Sequence, residues 1–82
     1  MTIKEKETAR RDFIRGALAV AQSKGISVAE IKRKCFSSYA TGNRRLEHKH
    51  GELNLTEIFN IASLCRMSPA AFIQMASENM KN

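Results

Sequence analysis

The central segment of the chain, residues 32–50, combines positive charge with short hydrogen-bonding side chains. It holds six of the 14 basic residues and one of the eight acidic residues, so most of the net charge of +6 falls here. Between its two basic clusters lies an uncharged stretch, Ser37 to Asn43, that is rich in hydroxyl groups. Lys and Arg side chains neutralise phosphates, while Ser, Thr, Asn and Arg can hydrogen-bond to base edges. These residue types favour contact with a nucleic acid.

Aromatic side chains are few, with four Phe, one Tyr and no Trp. Proteins that bind single strands stack bases on aromatic side chains, so this composition argues against that class and favours double-stranded DNA. A sequence pI near 9.8 is consistent with a polyanionic partner, although basic small proteins without one are common.

Catalytic and metal-binding chemistry find little support in the sequence. A catalytic site needs a nucleophile beside a base, or paired carboxylates, and no such pairing is suggested. His48 and His50 are two residues apart and would point to different sides of a helix, and no two cysteines are spaced as metal ligands. We expect no enzyme activity, no cofactor and no metal, with both histidines at the surface near phosphate.

The charged N-terminus has no apolar stretch behind it, which predicts a chain without a signal peptide. No window approaches the roughly 18 apolar residues of a membrane span. We therefore expect a cytoplasmic protein without membrane contact, in which Cys35 and Cys65 are reduced thiols.

Capping signals divide the chain into five helices of a single all-α domain, residues 1–82, with frayed termini. The first three are predicted at about 4–24, 28–35 and 38–47, and the others begin at residues 55 and 69. The expected N-terminal signals are capping boxes at Thr2 and Ser27, a cap at Ser37 or Ser38, the run Asn54-Leu55-Thr56-Glu57, and Ser68-Pro69. The expected inner faces comprise Ile3, Phe13, Ile14, Ala17, Leu18 and Ala21; Val28, Ile31 and Cys35; Leu55, Ile58, Ile61, Ala62 and Cys65; and Phe72, Ile73, Met75 and Ala76.

Four stretches of the chain match, in the same order, the sequence pattern of a known protein family: Gly25-Ile26-Ser27, Leu46-Glu47, residues 53–62 and residues 64–72. Together they resemble the Cro/phage-repressor-like (XRE-type) helix-turn-helix family over residues 13–76. The resemblance implies a compact five-helix lambda-repressor-like domain, in which the third helix enters the DNA major groove.

Carried over by position, the resemblance implies two sets of DNA-binding residues. The groove-facing set is Ser37, Ser38, Tyr39, Thr41 and Asn43, and Arg44 either joins it or holds phosphate. The backbone-contacting set is Ser27, Lys32, Arg45, His48 and Lys49. For Tyr39 the alternative is a core aromatic with its hydroxyl at the surface.

The segment departs from the family pattern at two places. The turn Cys35-Phe36-Ser37-Ser38 is irregular, and Gly42 stands where the third helix usually has an aliphatic residue. Glycine inside a helix costs about 1 kcal/mol relative to Ala. The third helix is therefore expected to be short or kinked, or Gly42 lets the backbone approach a ligand closely.

These observations predict a sequence-specific transcriptional regulator, most simply a repressor of phage or mobile-element type bound to an inverted-repeat operator. A homodimer is expected, with Ile73 and Met80 in its interface. Such a regulator would act by blocking RNA polymerase at the operator or by contacting it directly. The alternatives are an antitoxin-type autoregulator with a toxin partner, and a protein-interaction adaptor that keeps only the scaffold.

Overall fold

The computed structural model describes residues 2–48 and 50–80, and within these ranges all regular structure is helical. The five helices are α1 (Ile3–Ser23), α2 (Val28–Lys34), α3 (Tyr39–Glu47), α4 (Leu55–Leu64) and α5 (Pro69–Asn79). The all-α prediction is confirmed, and each helix begins within one residue of its predicted start. No helix of the described ranges is long and apolar enough to cross a membrane.

Every helix begins at a polar N-cap whose side-chain oxygen accepts a hydrogen bond from the backbone N–H three residues on. The five caps are Thr2, Ser27, Ser38, Asn54 and Ser68. A complete capping box forms at Asn54, where the Glu57 carboxylate accepts from the Asn54 backbone N–H at 2.9 Å. At Ser27 the box is half-formed, because Glu30 binds Lys34 instead. Local cap chemistry thus sets the helix starts.

The core lies between α1 and α5 and extends under α2 and α4. Its largest fully buried side chains are Phe72, Ile14, Ile31, Ile61 and Val20. α1 and α5 cross closely at Gly16, where an added Cβ would overlap the carbonyl oxygen of Ala76. Truncating a buried Phe to Ala typically costs about 3–5 kcal/mol, so Phe72 is a principal anchor of α5.

Three predicted core residues are instead exposed: Ile3 at 78%, Leu55 at 61% and Met75 at 37%. Ile3 and Leu55 are each the first residue of their helix, so they lie at the helix end. Helical spacing identifies which side of a helix is apolar. It does not tell how far along that side the neighbouring helix reaches.

α1 and α4 end in the same way, with a residue of positive φ followed by a return hydrogen bond. Gly25 has φ 78° and Ile26 donates to the carbonyl of Ala21, while Arg66 has φ 58° and Met67 donates to the carbonyl of Ala62. Both are Schellman motifs. After α4 this position is occupied by Arg66, although its positive φ favours glycine.

Candidate nucleic-acid interface

α2 and α3 pack closely because Gly42 has no side chain. A Cβ on Gly42 would lie 2.9–3.0 Å from the Cα, Cβ and Cγ atoms of Lys32. Gly42 is buried, and α3 continues as α-helix through it. α3 is short, at nine residues, and the close approach that Gly42 permits within the described structure is to Lys32 of α2.

Lys32 contacts α3 near its beginning, middle and end. Its Nζ lies 5.4 Å from the ring centroid of Tyr39, its stem lies against Gly42, and Nζ donates to Glu47 Oε1 at 2.5 Å. The Lys32 side chain is 6% exposed, whereas that of Glu47 is 63% exposed. Lys32 thus holds α3 against α2.

This placement differs from the expectation for Lys32. The sequence interpretation gave it a contact with the nucleic-acid backbone, but its ammonium is buried and already paired within the chain. A buried ammonium needs such a partner, because desolvating an unpaired charge is costly. Tyr39, by contrast, is 46% exposed, so it lies at the surface beside Lys32 and not in the core.

Arg45 is likewise engaged within the protein. Its Nε donates to Glu57 Oε2 at 3.1 Å, and Glu57 is buried at the start of α4. The same carboxylate accepts the Asn54 backbone N–H, so one acid both caps α4 and ties it to α3. Arg45 stays half-buried, with 34% of its side chain exposed.

The C-terminal end of α3 is held by a side chain from α1. Arg11 Nη1 donates to the backbone carbonyl oxygens of Leu46 at 3.0 Å and His48 at 3.1 Å. The last carbonyls of a helix lack intrahelical partners and carry partial negative charge, so a guanidinium stabilises them. Sequence reasoning missed Arg11, because nothing local marks its partner 35 residues away.

The N-terminal end of α3 presents a cluster of hydroxyl groups to solvent. Ser38 caps the helix through the Thr41 N–H, and its Oγ lies 3.0 Å from Thr41 Oγ1, with the Ser37 hydroxyl 3.4 Å from the same atom. Ser37 and Ser38 are exposed and Thr41 is half-buried. Hydroxyls that satisfy one another locally can exchange those bonds for bonds to a ligand.

Two surface grooves that share Arg45 bring part of the predicted set together. One contains Ser37, Thr41 and Arg45 with Asn54, Thr56 and Asn60 of the α4 region, and the other contains Arg44, Arg45, His48, His50, Gly51 and Glu52. Arg44 is exposed and forms no ion pair with the described residues. We call the surface around both grooves, with Ser38 and Tyr39, the α3 surface.

The remaining predicted residues lie apart from these grooves or outside what is described. Ser27 is exposed at the start of α2, and Asn43 is half-buried in α3. Lys49 is outside the described residues. The structure adds Asn54 and Thr56 to the groove, whereas the sequence indicated them only as part of the signal that begins α4. Their position in the groove depends on how α4 packs.

The chain has two cysteines, Cys35 and Cys65. Both are free and buried. Burial raises the pKa of Cys35 to about 11 and also raises the pKa of Cys65, so both remain protonated thiols near neutral pH. Within residues 2–48 and 50–80, no group of three or more His, Cys, Asp or Glu side chains is placed to hold a metal ion.

No protein-family model matches the chain, and comparisons with curated proteins and with solved structures give no match either.

Proposed function

We propose that the chain is a sequence-specific double-stranded DNA-binding regulator of transcription, in which α2, the turn after it and α3 act as a helix-turn-helix. The observation that carries the proposal is the α3 surface: exposed hydroxyls at the start of a helix, followed by exposed Arg44 and His48. A polar helix with its base-reading groups in its first turns suits the major groove.

The way α3 is held supports the same function. Lys32 anchors it to α2, Arg45 to α4 and Arg11 to α1, each through a charged hydrogen bond. Base readout requires side chains held in a fixed register, and rigid elements provide that register better than loops. The outward face of α3 is left with the residues that would contact DNA.

In this proposal the regulator represses by occupying an operator, in the manner of a phage or mobile-element repressor. An antitoxin-type autoregulator would use the same surface and adds a toxin partner. The adaptor hypothesis depended partly on Gly42, and the contact of Gly42 with Lys32 gives that glycine an internal role instead.

Duplex binding across a salt series is the direct test. Because Lys32 is buried and Arg45 is paired, we expect three or four phosphate contacts per subunit, so log affinity falls against log salt with a slope of roughly −3 to −4. Fluorescence anisotropy with random-sequence duplex measures this slope. No binding at low salt would refute the proposal and favour the adaptor.

Substitutions of α3 residues, on and beside the α3 surface, distinguish base readout from general electrostatic attraction. Arg44→Ala should weaken binding, and Asn43→Ala should cost about 1–3 kcal/mol on a selected high-affinity sequence and much less on random duplex. Arg15→Ala is the control, since Arg15 is an α1 cation whose side chain is 74% accessible and whose ion pair with Asp12 is long, at 3.6 Å. Equal losses for Arg15→Ala and Arg44→Ala would mean that binding depends on net charge alone.

A further inference from the structure

Arg66 has a backbone conformation that lowers the stability of the fold. It follows α4 with φ 58°, in the left-handed region where the Cβ of any residue except glycine is crowded by the backbone. The equivalent position after α1 is occupied by Gly25, which adopts φ 78° without that crowding. The chain thus has an arginine where glycine would make the fold more stable.

No contact among the described residues offsets this loss of stability. The Arg66 side chain forms no hydrogen bond or ion pair with them, and the residue is exposed. Its backbone N–H donates to the carbonyl oxygen of Ser63 at 3.0 Å, a bond that glycine would make equally well. Residues held in such backbone conformations cluster at ligand-binding sites, so the conformation of Arg66 indicates a role in binding.

Arg66 lies in a groove between α2 and α4 that has an excess of positive charge. The groove also contains Lys34 of α2 and the exposed Asn60 and Ser63 of α4. Its one acidic residue is Glu30, whose carboxylate accepts a hydrogen bond from Lys34 Nζ at 2.9 Å. Lys34 and Glu30 balance each other, which leaves the charge of Arg66 beside amide and hydroxyl groups that can donate to an anion.

This groove is continuous with the α3 surface. Lys34, Cys35 and Asn60 line it, and the same three residues line the groove that contains Ser37 and Thr41. A polyanion that lies against the α3 surface therefore meets, next to it, a second groove with an excess of positive charge.

We propose that Arg66 contacts a phosphate of the bound duplex, so that the groove between α2 and α4 is a second contact with the DNA backbone beside α3. The inference rests on the proposed function, because it requires a duplex on the α3 surface. A guanidinium suits this role, since it can donate two parallel hydrogen bonds to one phosphate. Lys34 can join it, because its side chain is 56% exposed and an ion pair at the surface contributes little.

Arg66→Gly tests the inference because it should change folding and binding in opposite directions. Urea unfolding should show a more stable protein. Fluorescence anisotropy with random-sequence duplex should show severalfold weaker binding at low salt and a salt slope that is shallower by about 0.9. A variant that is more stable than the wild type cannot bind less well because it is unfolded.

Two further variants separate the charge of Arg66 from its backbone conformation. Arg66→Gln keeps the Cβ and removes the charge, so it should weaken binding as much as Arg66→Gly does, without the gain in stability. Arg66→Lys keeps the charge and should retain the salt slope. Arg15→Ala is the control, because it removes one exposed positive charge from α1, and it should weaken binding less.

The outcomes distinguish this inference from the proposed function. If Arg66→Gly and Arg66→Gln bind duplex as tightly as Arg15→Ala does, while Arg44→Ala binds more weakly, the inference is overturned and the proposed function stands. A wild type that binds no duplex at low salt would overturn both. In a duplex titration of the wild type, the backbone amide chemical shifts of residues 63–66 should change, and constant shifts there would also overturn the inference.

Discussion

The ion pair between Lys32 and Glu47 should respond very differently to the loss of each partner. Lys32→Met keeps most of the buried stem, removes the ammonium and leaves Glu47, whose side chain is 63% exposed. Glu47→Ala removes an exposed carboxylate and leaves an ammonium in a side chain that is 6% exposed. We therefore expect Glu47→Ala, although it changes an exposed residue, to lower the free energy of unfolding more than Lys32→Met does.

The magnitudes follow from which group is left without a partner. A buried donor deprived of its acceptor costs about 1–3 kcal/mol, and a charged donor costs more, so Glu47→Ala should lose at least about 1–3 kcal/mol. Lys32→Met leaves a carboxylate that water can solvate, and replacing a buried charge by an apolar side chain of similar volume is often neutral, so its change should stay below about 1 kcal/mol. For an 82-residue domain, 1 kcal/mol corresponds to roughly 4–8 °C in Tm.

Thermal and urea unfolding followed by circular dichroism would measure both variants. The double variant should be about as stable as Lys32→Met alone, because it contains no stranded charge. Arg44→Ala controls for replacing an exposed α3 residue by alanine. A loss for Lys32→Met that equals or exceeds the loss for Glu47→Ala would refute this reasoning and would mean that the ammonium itself stabilises the fold.

Three further expectations follow from the structure. Lys32→Met should leave the salt slope of DNA binding unchanged, whereas Arg44→Ala should make it shallower by about 1 if Arg44 contacts phosphate, as measured by anisotropy. Arg66→Gly should raise the free energy of unfolding by about 1 kcal/mol and Gly25→Ala should lower it by at least that amount, because both positions have positive φ; urea unfolding compares them. The raised pKa of Cys35 predicts that the free energy of unfolding is retained below about pH 9 and falls towards pH 11, because in that range the unfolded chain releases the thiol proton while the folded chain still holds it. Urea unfolding across this pH range, with Cys35→Ala as control, tests the prediction. A loss of equal size in Cys35→Ala would exclude the thiol as its source.

The helix starts were predictable because their causes are local. A cap such as Ser68, with the proline after it, acts within four residues of the chain, and the sequence shows all of it. The full capping box at Asn54 and Glu57 is another such case. Inner faces were predicted less well at helix ends, where Ile3 and Leu55 proved exposed. Burial there depends on the length of the neighbouring element.

The sequence suggested the segment that forms the candidate site, but it did not show which of the residues there are held within the protein. Lys32 looked like a free cation because its partners, Gly42 and Glu47, lie 10 and 15 residues further along the chain. Gly42 was recognisable as an unusual residue inside a helix. The sequence did not show that a glycine in one helix makes room for a long side chain from another. Arg11 gave no sequence signal at all.

Under the proposed function, the cations of the central segment have two roles: some hold α3 in place and others would contact phosphate. α3 buries only Gly42 and Leu46, so apolar packing contributes little to its position. Cations contribute in its place, through Lys32 to α2 and through Arg45 to α4. Each pair has one buried partner, Lys32 or Glu57, so both pairs resist screening by salt better than pairs of exposed charges do. As salt rises, contacts with phosphate should weaken well before the anchors of α3 do, so the salt dependence of binding should report the exposed cations and not the unfolding of the site.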